Sequence, residues 1–258
     1  MGTFKIIQFN MQFGQIWDEA NPDGAPVDLK QTIAEIQRHD ADVVILQEVE
    51  HAQAGGKQLI PPPNYSLISQ ALTGYHGYFS YPKADKRELP FGIGLAIFSK
   101  TPLYDLSKLE LPSPVIEFDF YGETKTPTDR LLIGAKTKIK GHEVQLYNTH
   151  LLAFFMLKAS SKIHTEQRRL VLEQIKKSRL PTVLCGDFNV SNHHALVEQF
   201  SLAGLTTAQN TEVTWRRMPY VLDHIFFDHH LKLIQRSVVP TLASDHHLVI
   251  AEFGFNAH

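Results

Sequence analysis

Asn10, Glu48, His150, Asp187, Asn189, Asp223, Asp245 and His246 each stand close to the end of an apolar run, in short motifs spread over the whole chain. The motifs are Phe9-Asn10, Leu46-Gln47-Glu48, Asn148-Thr149-His150, Gly186-Asp187-Phe188-Asn189, Leu222-Asp223-His224 and Ser244-Asp245-His246. Hard oxygen ligands beside imidazoles suit magnesium-assisted attack on a phosphorus centre. Glu48 follows Val43-Val44-Ile45-Leu46, and a carboxylate in so apolar a setting is costly unless it is paired or holds a metal. Asp187 and Asn189 fall on the same side of an extended segment. There the carboxylate can hold an attacking water while the amide donates to a phosphate oxygen. An aspartate bonded to one imidazole nitrogen fixes the tautomer and stabilises the imidazolium. Asp223 with His246 would make such a unit, facing the scissile phosphate as general base or as cationic clamp. His150 is a further imidazole able to donate to that phosphate. Each fragment alone also has an ordinary structural reading: an Asx-turn, a strand cap, a buried ion pair, a satisfied core histidine.

Rigid strands must carry these groups. Phe4 to Phe9 reads as a first strand. Asp28 reads as an N-cap, with Gln31 three residues on, and Leu29, Ile33 and Ile36 follow at helical spacing to about His39. Val43-Val44-Ile45-Leu46 has the continuous apolar character of a strand buried on both faces, with Glu48 at its end. Gly55-Gly56 and Pro61-Pro62-Pro63 mark a long loop. Further strands are expected over 75–81, 92–98, 131–139, 143–148, 182–185, 221–227 and 247–253, with a hairpin turn at Lys140-Gly141-His142. Ile163, Leu170, Val171 and Ile175 share the face of a second helix that stops before Pro181. The pattern predicts an α/β protein: two mixed sheets packed face to face with helices outside, as one domain over residues 1–258.

The 258 residues suffice for a sizeable core, and 43% hydrophobic with 20% charged residues is ordinary for a globular chain. No apolar stretch has the length of a membrane span, and the N-terminus has no signal-peptide core, so a cytoplasmic monomer is expected. A single cysteine, Cys185, excludes an internal disulfide, and its apolar neighbours favour an inert thiol. The net charge of −2 shows no overall basic face for long nucleic acid, though it leaves room for a local one. Lys83, Lys86, Arg87 and the Arg216-Arg217 pair are candidates for such a patch at the mouth of a cleft. The 14 histidines include adjacent pairs, but no HExxH or CxxC spacing supports a zinc hydrolase.

Taken in order, the motifs resemble those of the endonuclease/exonuclease/phosphatase superfamily, whose fold is like deoxyribonuclease I. The resemblance runs from Phe9-Asn10 to Ser244-Asp245-His246-His247, with Thr214-Trp215 and Leu222-Asp223-His224-Ile225 in support. It implies a four-layered sandwich, dependence on Mg2+ or Mn2+, and hydrolysis of phosphoester bonds. It also implies that Asn10 and Glu48 bind metal, that Asp187 positions or activates water, and that Asn189 and His150 hold the phosphate. Asp223 then orients His246, and Asp245 joins the metal or its waters. Arg130 loosely matches a basic residue aimed at the site, and Trp215 with Arg216 is a candidate substrate contact. The exonuclease III branch carries tyrosine where this chain has His150, which weakens an abasic-site endonuclease reading. A phosphorylated substrate is expected, nucleic acid among the options. The alternatives are a phosphatase or phospholipase type acting on inositol phosphate or sphingolipid, and a catalytically silent binding domain of the same fold. The apolar segment 151–157 is expected either in a packed loop or on a hydrophobic substrate groove.

Overall fold

In the computed structural model, which describes residues 2–256, side chains along the first strand alternate between two layers. Phe4 and Ile6 enter a core between two sheets, while Ile7 and Phe9 enter a separate core beneath helices. The chain order is β1 (Phe4–Asn10), α1 (Leu29–Gln37), β2 (Val43–His51), α2 (Pro63–Ala71), β3 (His76–Ser80), β4 (Gly92–Ser99) and β5 (Tyr104–Leu111). A hairpin of β6 (Phe118–Phe120) and β7 (Glu123–Lys125) follows, then β8 (Arg130–Ile139), β9 (His142–His150), α3 (Glu166–Ile175), β10 (Thr182–Asp187) and α4 (His193–Ser201). The last strands are β11 (Leu205–Thr207), β12 (Asp223–Asp228), β13 (Leu231–Val239) and β14 (Leu248–Phe255).

Sheet one has the order β13-β14-β1-β2-β4-β3, and sheet two β11-β12-β10-β9-β8-β5. Each is mixed, with one parallel pair, β1/β2 and β9/β10 respectively. Between them lies a core built from alternate residues of both: Val43, Ile45, Ile97 and Val249 against Ile133, Leu146, Val183 and Ile225. Ile36 of α1 and Ile68 of α2 close the outer face of sheet one. Val171 of α3 and Phe200 of α4 close that of sheet two. The layers are thus helix, sheet, sheet, helix, as the sequence pattern predicts. Fully burying one such aliphatic side chain contributes about 1.5–3 kcal/mol, so these three interfaces dominate stability. Among the described residues, no helix is long and apolar enough to cross a membrane.

Several elements differ from expectation. Asp28 caps α1 through the backbone N–H groups of Lys30 and Gln31, as predicted. The stretch after Pro61-Pro62 is not a continuous loop: Pro63 opens α2, where a missing N–H costs nothing. Ile163 lies outside α3 and is 76% exposed, because the helix begins only at Glu166. The apolar residues at 163 and 170 share a spacing without sharing an element. Glu48 is not at the end of a strand but inside β2, at an irregularity in its pairing with β4.

Ile45→Ala tests the shared core. Ile45 is 1% exposed between the sheets, and the cavity left should cost about 2–5 kcal/mol in chemical denaturation, with an unchanged denaturant slope.

Candidate active site

The strands that form the inter-sheet core change character at one end. On β1 the inward series Phe4, Ile6 continues as Gln8 and Asn10; on β2, Val43, Ile45 continues as Gln47; on β9, Val144, Leu146 continues as Asn148 and His150; on β10, Val183, Cys185 continues as Asp187. β12 begins polar at Asp223 and then turns apolar at Ile225 and Phe227. A period of two therefore carries each apolar row directly into a polar cluster.

Glu48 joins that cluster through a bulge. Leu46 and Val49 both pack under the helices, three positions apart where a regular strand would need two. The extra residue is Glu48, held at φ 49°, a left-handed conformation that costs a non-glycine residue about 1–2 kcal/mol. Its side chain lies over Gly92 of β4, where a Cβ would come within 2.2 Å of Oε2. Asn10 Nδ2 donates to Glu48 Oε1 at 3.0 Å and to Asp187 Oδ2 at 3.1 Å. His150 Nε2 lies 3.8 Å from Glu48 Oε1 and 3.6 Å from Asp187 Oδ2. His246 Nε2 approaches the same Asp187 oxygen at 3.7 Å, and its Nδ1 donates to Asp223 Oδ2 at 2.8 Å. Six of the eight expected chemical residues thus meet within a few ångströms: Asn10, Glu48, His150, Asp187, Asp223 and His246. Asp245 Oδ1 is 4.0 Å from His246 Nε2, at the edge of the group.

Burial sets the charges. It pushes the Glu48 carboxyl up to about 7 against the Asn10 hydrogen bond, with Asp245 adding to the rise. Asp187 is raised by burial first and by the Asp223 carboxylate next. Burial lowers His150 well below the ordinary imidazole range, and Arg130 and His246 lower it further, so it is neutral. Burial works downward on His246 as well, but Asp223, Asp187 and Asp245 outweigh it and hold the ring at about 10, as imidazolium. Two carboxyls that resist ionisation side by side would each be relieved by a nearby positive charge. Hard oxygen donors suited to a divalent ion gather here: the carboxylates of Glu48, Asp187 and Asp223, with Asp245 at the edge.

Other expected residues are placed differently. The Asn10 amide presents its nitrogen to the carboxylates while its oxygen accepts from Gln12 N at 3.2 Å. Oxygen ligation of a metal requires that amide to turn over. Asn189, in a left-handed conformation, donates Nδ2 to Leu151 O at 3.0 Å and its backbone N–H to Asp187 Oδ1 at 2.9 Å. It braces Asp187 and leaves one amide hydrogen for a ligand. Trp215 is 8% exposed and gives Nε1–H to Asp245 Oδ2 at 3.1 Å, so it is a wall behind Asp245 more than an open platform. Arg216 spends its guanidinium on Thr241 O at 2.6 Å; the arginine beside the cluster is Arg217, bound to Asp245 Oδ2 at 2.7 Å and to Asp23 at 2.6 Å. Arg130 shares a small recess with Gly92 and His150, and its Nε is buried without a hydrogen-bond partner among the described residues. Asp228, His229 and His230 form a second close group at the β12–β13 turn, where Asp228 already accepts from Thr182 N and His230 N.

Sequence reasoning missed Tyr220 and did not single out Phe155 within the apolar segment 151–157. Their rings lie 5.3 Å apart, and Phe155 also packs 5.7 Å from Trp215, which sits 6.1 Å from the His246 ring. Of the segment 151–157, Leu151, Leu152 and Phe154 are buried, Phe154 against His164, as the packed-loop reading expects, while half-buried Phe155 lies against Trp215 and Tyr220. The β6–β7 hairpin was also unforeseen. With Lys86 and Arg87 its Phe120, Tyr121 and Lys125 line a groove of about 390 Å³.

Residues 7–246 match the Endonuclease/Exonuclease/phosphatase family, and the chain belongs to it. Comparison with curated proteins gives no match. Among solved structures, an endonuclease/exonuclease/phosphatase from Beutenbergia cavernae superposes with a TM-score of 0.74 at 19% identity, covering 99% of this chain and 72% of the other. A mannosyl-6-phosphatase from Bacteroides thetaiotaomicron gives 0.69 at 18% identity, covering 98% and 100%. The catalytic domain of human nocturnin with bound sulfate gives 0.67 at 19%, covering 98% and 95%. Identities this low carry the fold, which is that of deoxyribonuclease I.

Gly92→Ala tests the seat of Glu48. A methyl group there overlaps the Glu48 side chain. The circular dichroism spectrum should be retained while affinity for Mn2+, read by calorimetry, weakens by about 10- to 100-fold.

Proposed function

We propose that this protein hydrolyses phosphoester bonds with a divalent metal, Mg2+ or Mn2+, by in-line attack of water on phosphorus. The observation that carries this reading is the convergence of Glu48, Asp187, Asn10, His150 and the Asp223–His246 pair at one end of the inter-sheet core. Glu48, with Asn10 beside it, and Asp245 would hold the metal. When bound, such an ion neutralises charge developing on phosphorus and its oxygens. Asp187, braced by Asn189 N–H, orients the attacking water. His246 carries its charge toward the phosphate from Nε2 while Asp223 holds Nδ1. Neutral His150 donates from the other side of Asp187, and Arg130, with a buried nitrogen unused, contributes a further cation at the recess. The Phe155–Trp215–Tyr220 cluster beside His246 is a surface available to the rest of a phosphorylated substrate, and the groove lined by Lys86, Arg87 and Tyr121 is a second candidate. A mannosyl-6-phosphatase among the structural relatives is consistent with a monoester, and the family name with nucleic acid.

Release of nitrophenol from bis-p-nitrophenyl phosphate and from p-nitrophenyl phosphate separates diesterase from monoesterase. A panel of DNA, RNA, sphingolipid and inositol phosphates then narrows the substrate. Activity should vanish in chelator and return with Mg2+ or Mn2+; activity indifferent to chelator would sink the metal assignment. Glu48→Gln should lose several orders of magnitude in kcat with a native melting curve. Near-normal turnover in saturating Mg2+ would contradict its role.

Asp223→Asn and His246→Ala should each slow turnover by about 100- to 1,000-fold, the usual cost of one preorganised donor. The double variant should be little slower than either single, because the pair acts as one unit. Losses that multiply in full would separate the two residues.

A further inference from the structure

Three buried amides stand behind the imidazole–carboxylate pair, and the mechanism above does not use them. We infer that Gln8, Gln47 and Asn148 are positioning residues that set the polarity and orientation of Asp223 and, through it, of His246; this rests on the catalytic role proposed for His246. All three side chains are fully buried between the sheets. Asn148 reaches from β9 to sheet one and gives both hydrogens of Nδ2 to main-chain carbonyls, Leu46 O at 2.8 Å and Ala96 O at 3.0 Å. Those carbonyls can only accept, so the Asn148 oxygen must face the other way. Gln47 Nε2 donates to it at 2.7 Å. Gln47 is thereby forced to offer Oε1 to its neighbour, and Gln8 Nε2 donates there at 2.7 Å. The second hydrogen of Gln8 Nε2 goes to Asp223 Oδ1 at 3.0 Å. The other Asp223 oxygen takes Nδ1–H of His246 at 2.8 Å.

Every bond in this relay fixes the direction of the next. Turning any one amide over would set nitrogen against nitrogen or oxygen against oxygen among fully buried side chains. Asp223 consequently receives one donor on each oxygen and cannot rotate away from His246. Nδ1 keeps its proton, and Nε2 is left facing Asp187 and the cleft. Gln8 adds a second observation. Its Oε1 is buried without a partner among the described residues, which costs stability that methionine of the same shape would not. The amide is kept there with one atom unpaired, and what its other end does is donate to Gln47 and to Asp223.

The test compares Gln8→Met and Gln47→Met with wild type by three measurements. These are melting temperature, steady-state kinetics on bis-p-nitrophenyl phosphate, and the downfield proton NMR signal of His246 Nδ1–H, identified by its loss in Asp223→Asn. Gln8→Met leaves Gln47 Oε1 and one oxygen of Asp223 without a donor and should lower the melting temperature by a few degrees while the fold is kept. Its kcat should fall by about 10- to 100-fold, the range for removing a partner behind a functional group, with KM changed by no more than about twofold. The proton signal should shift or broaden in both variants, and Gln8→Met added to Asp223→Asn should cost little more. An unmoved proton signal in both variants would overturn the inference, as would a kcat loss that multiplies in full with that of Asp223→Asn. If wild type cleaves no phosphoester, the functional reading falls, and the proton signal, which needs no turnover, still decides the relay.

Discussion

Everything about this molecule answers to the burial of charge between two apolar sheets. Glu48, Asp187, Asp223 and Asp245 bring four carboxylates to one end of a core otherwise filled by isoleucine, valine and phenylalanine. Carboxylates out of water are tolerated only where hydrogen bonds and opposite charge replace the lost solvent. Each has its replacement. Asp223 takes Gln8 and His246, Asp245 takes Trp215 and Arg217, and Asp187 takes Asn10 and the Asn189 backbone. Glu48 has only Asn10 and a distant imidazole, so it is the least compensated of the four.

The two imidazoles show how environment divides labour between identical side chains. His246 is flanked by carboxylates and stays charged; His150 is buried with Arg130 on one side and stays neutral. Opposite poise within a few ångströms lets one cleft supply both a cationic and a neutral donor at the same pH. The strained backbone at Glu48 belongs to the same economy. A left-handed residue at a bulge, matched by a glycine across the strand pair, is local disorder of pattern held in place by the regular sheet around it.

Much of this was legible in the sequence, and the reason is periodicity. Apolar runs ending in Asn10, His150 and Asp187 name both the strand and the residue that emerges from it, because inward positions recur every two residues. Asp28 announced α1 by its capping chemistry. Legibility failed where local pattern is weak or where contacts are long-range. β5 and β13 alternate poorly because they are edge strands with little full burial, each interrupted by a register shift, and the prolines before α2 resemble a loop until the helix that follows is seen. The bulge at Glu48 leaves no local mark, since Gln47-Glu48-Val49 would suit a regular strand. Arg217 rather than Arg216 meets Asp245 because the backbone N–H of Arg216 bonds to Asp245 O and its guanidinium turns to Thr241. Pairing of amides such as Gln8 and Gln47 depends on strand neighbours that no local reading supplies.

Strand β1 sits at the centre of sheet one, between β2, close to it in sequence, and β14, the last strand of the sheet. Ser244 Oγ ties to Asn10 O across 234 positions, and Gln8 reaches Asp223 across 215. Contacts so distant along the chain are formed late and slowly in folding. Until β14 is in place, β1 has one edge unpaired and its apolar rows open on that side. The cleft thus depends on pairing between the first and the last of these strands: β14, which follows closely after His246, is what ties that residue to the strand bearing Asn10.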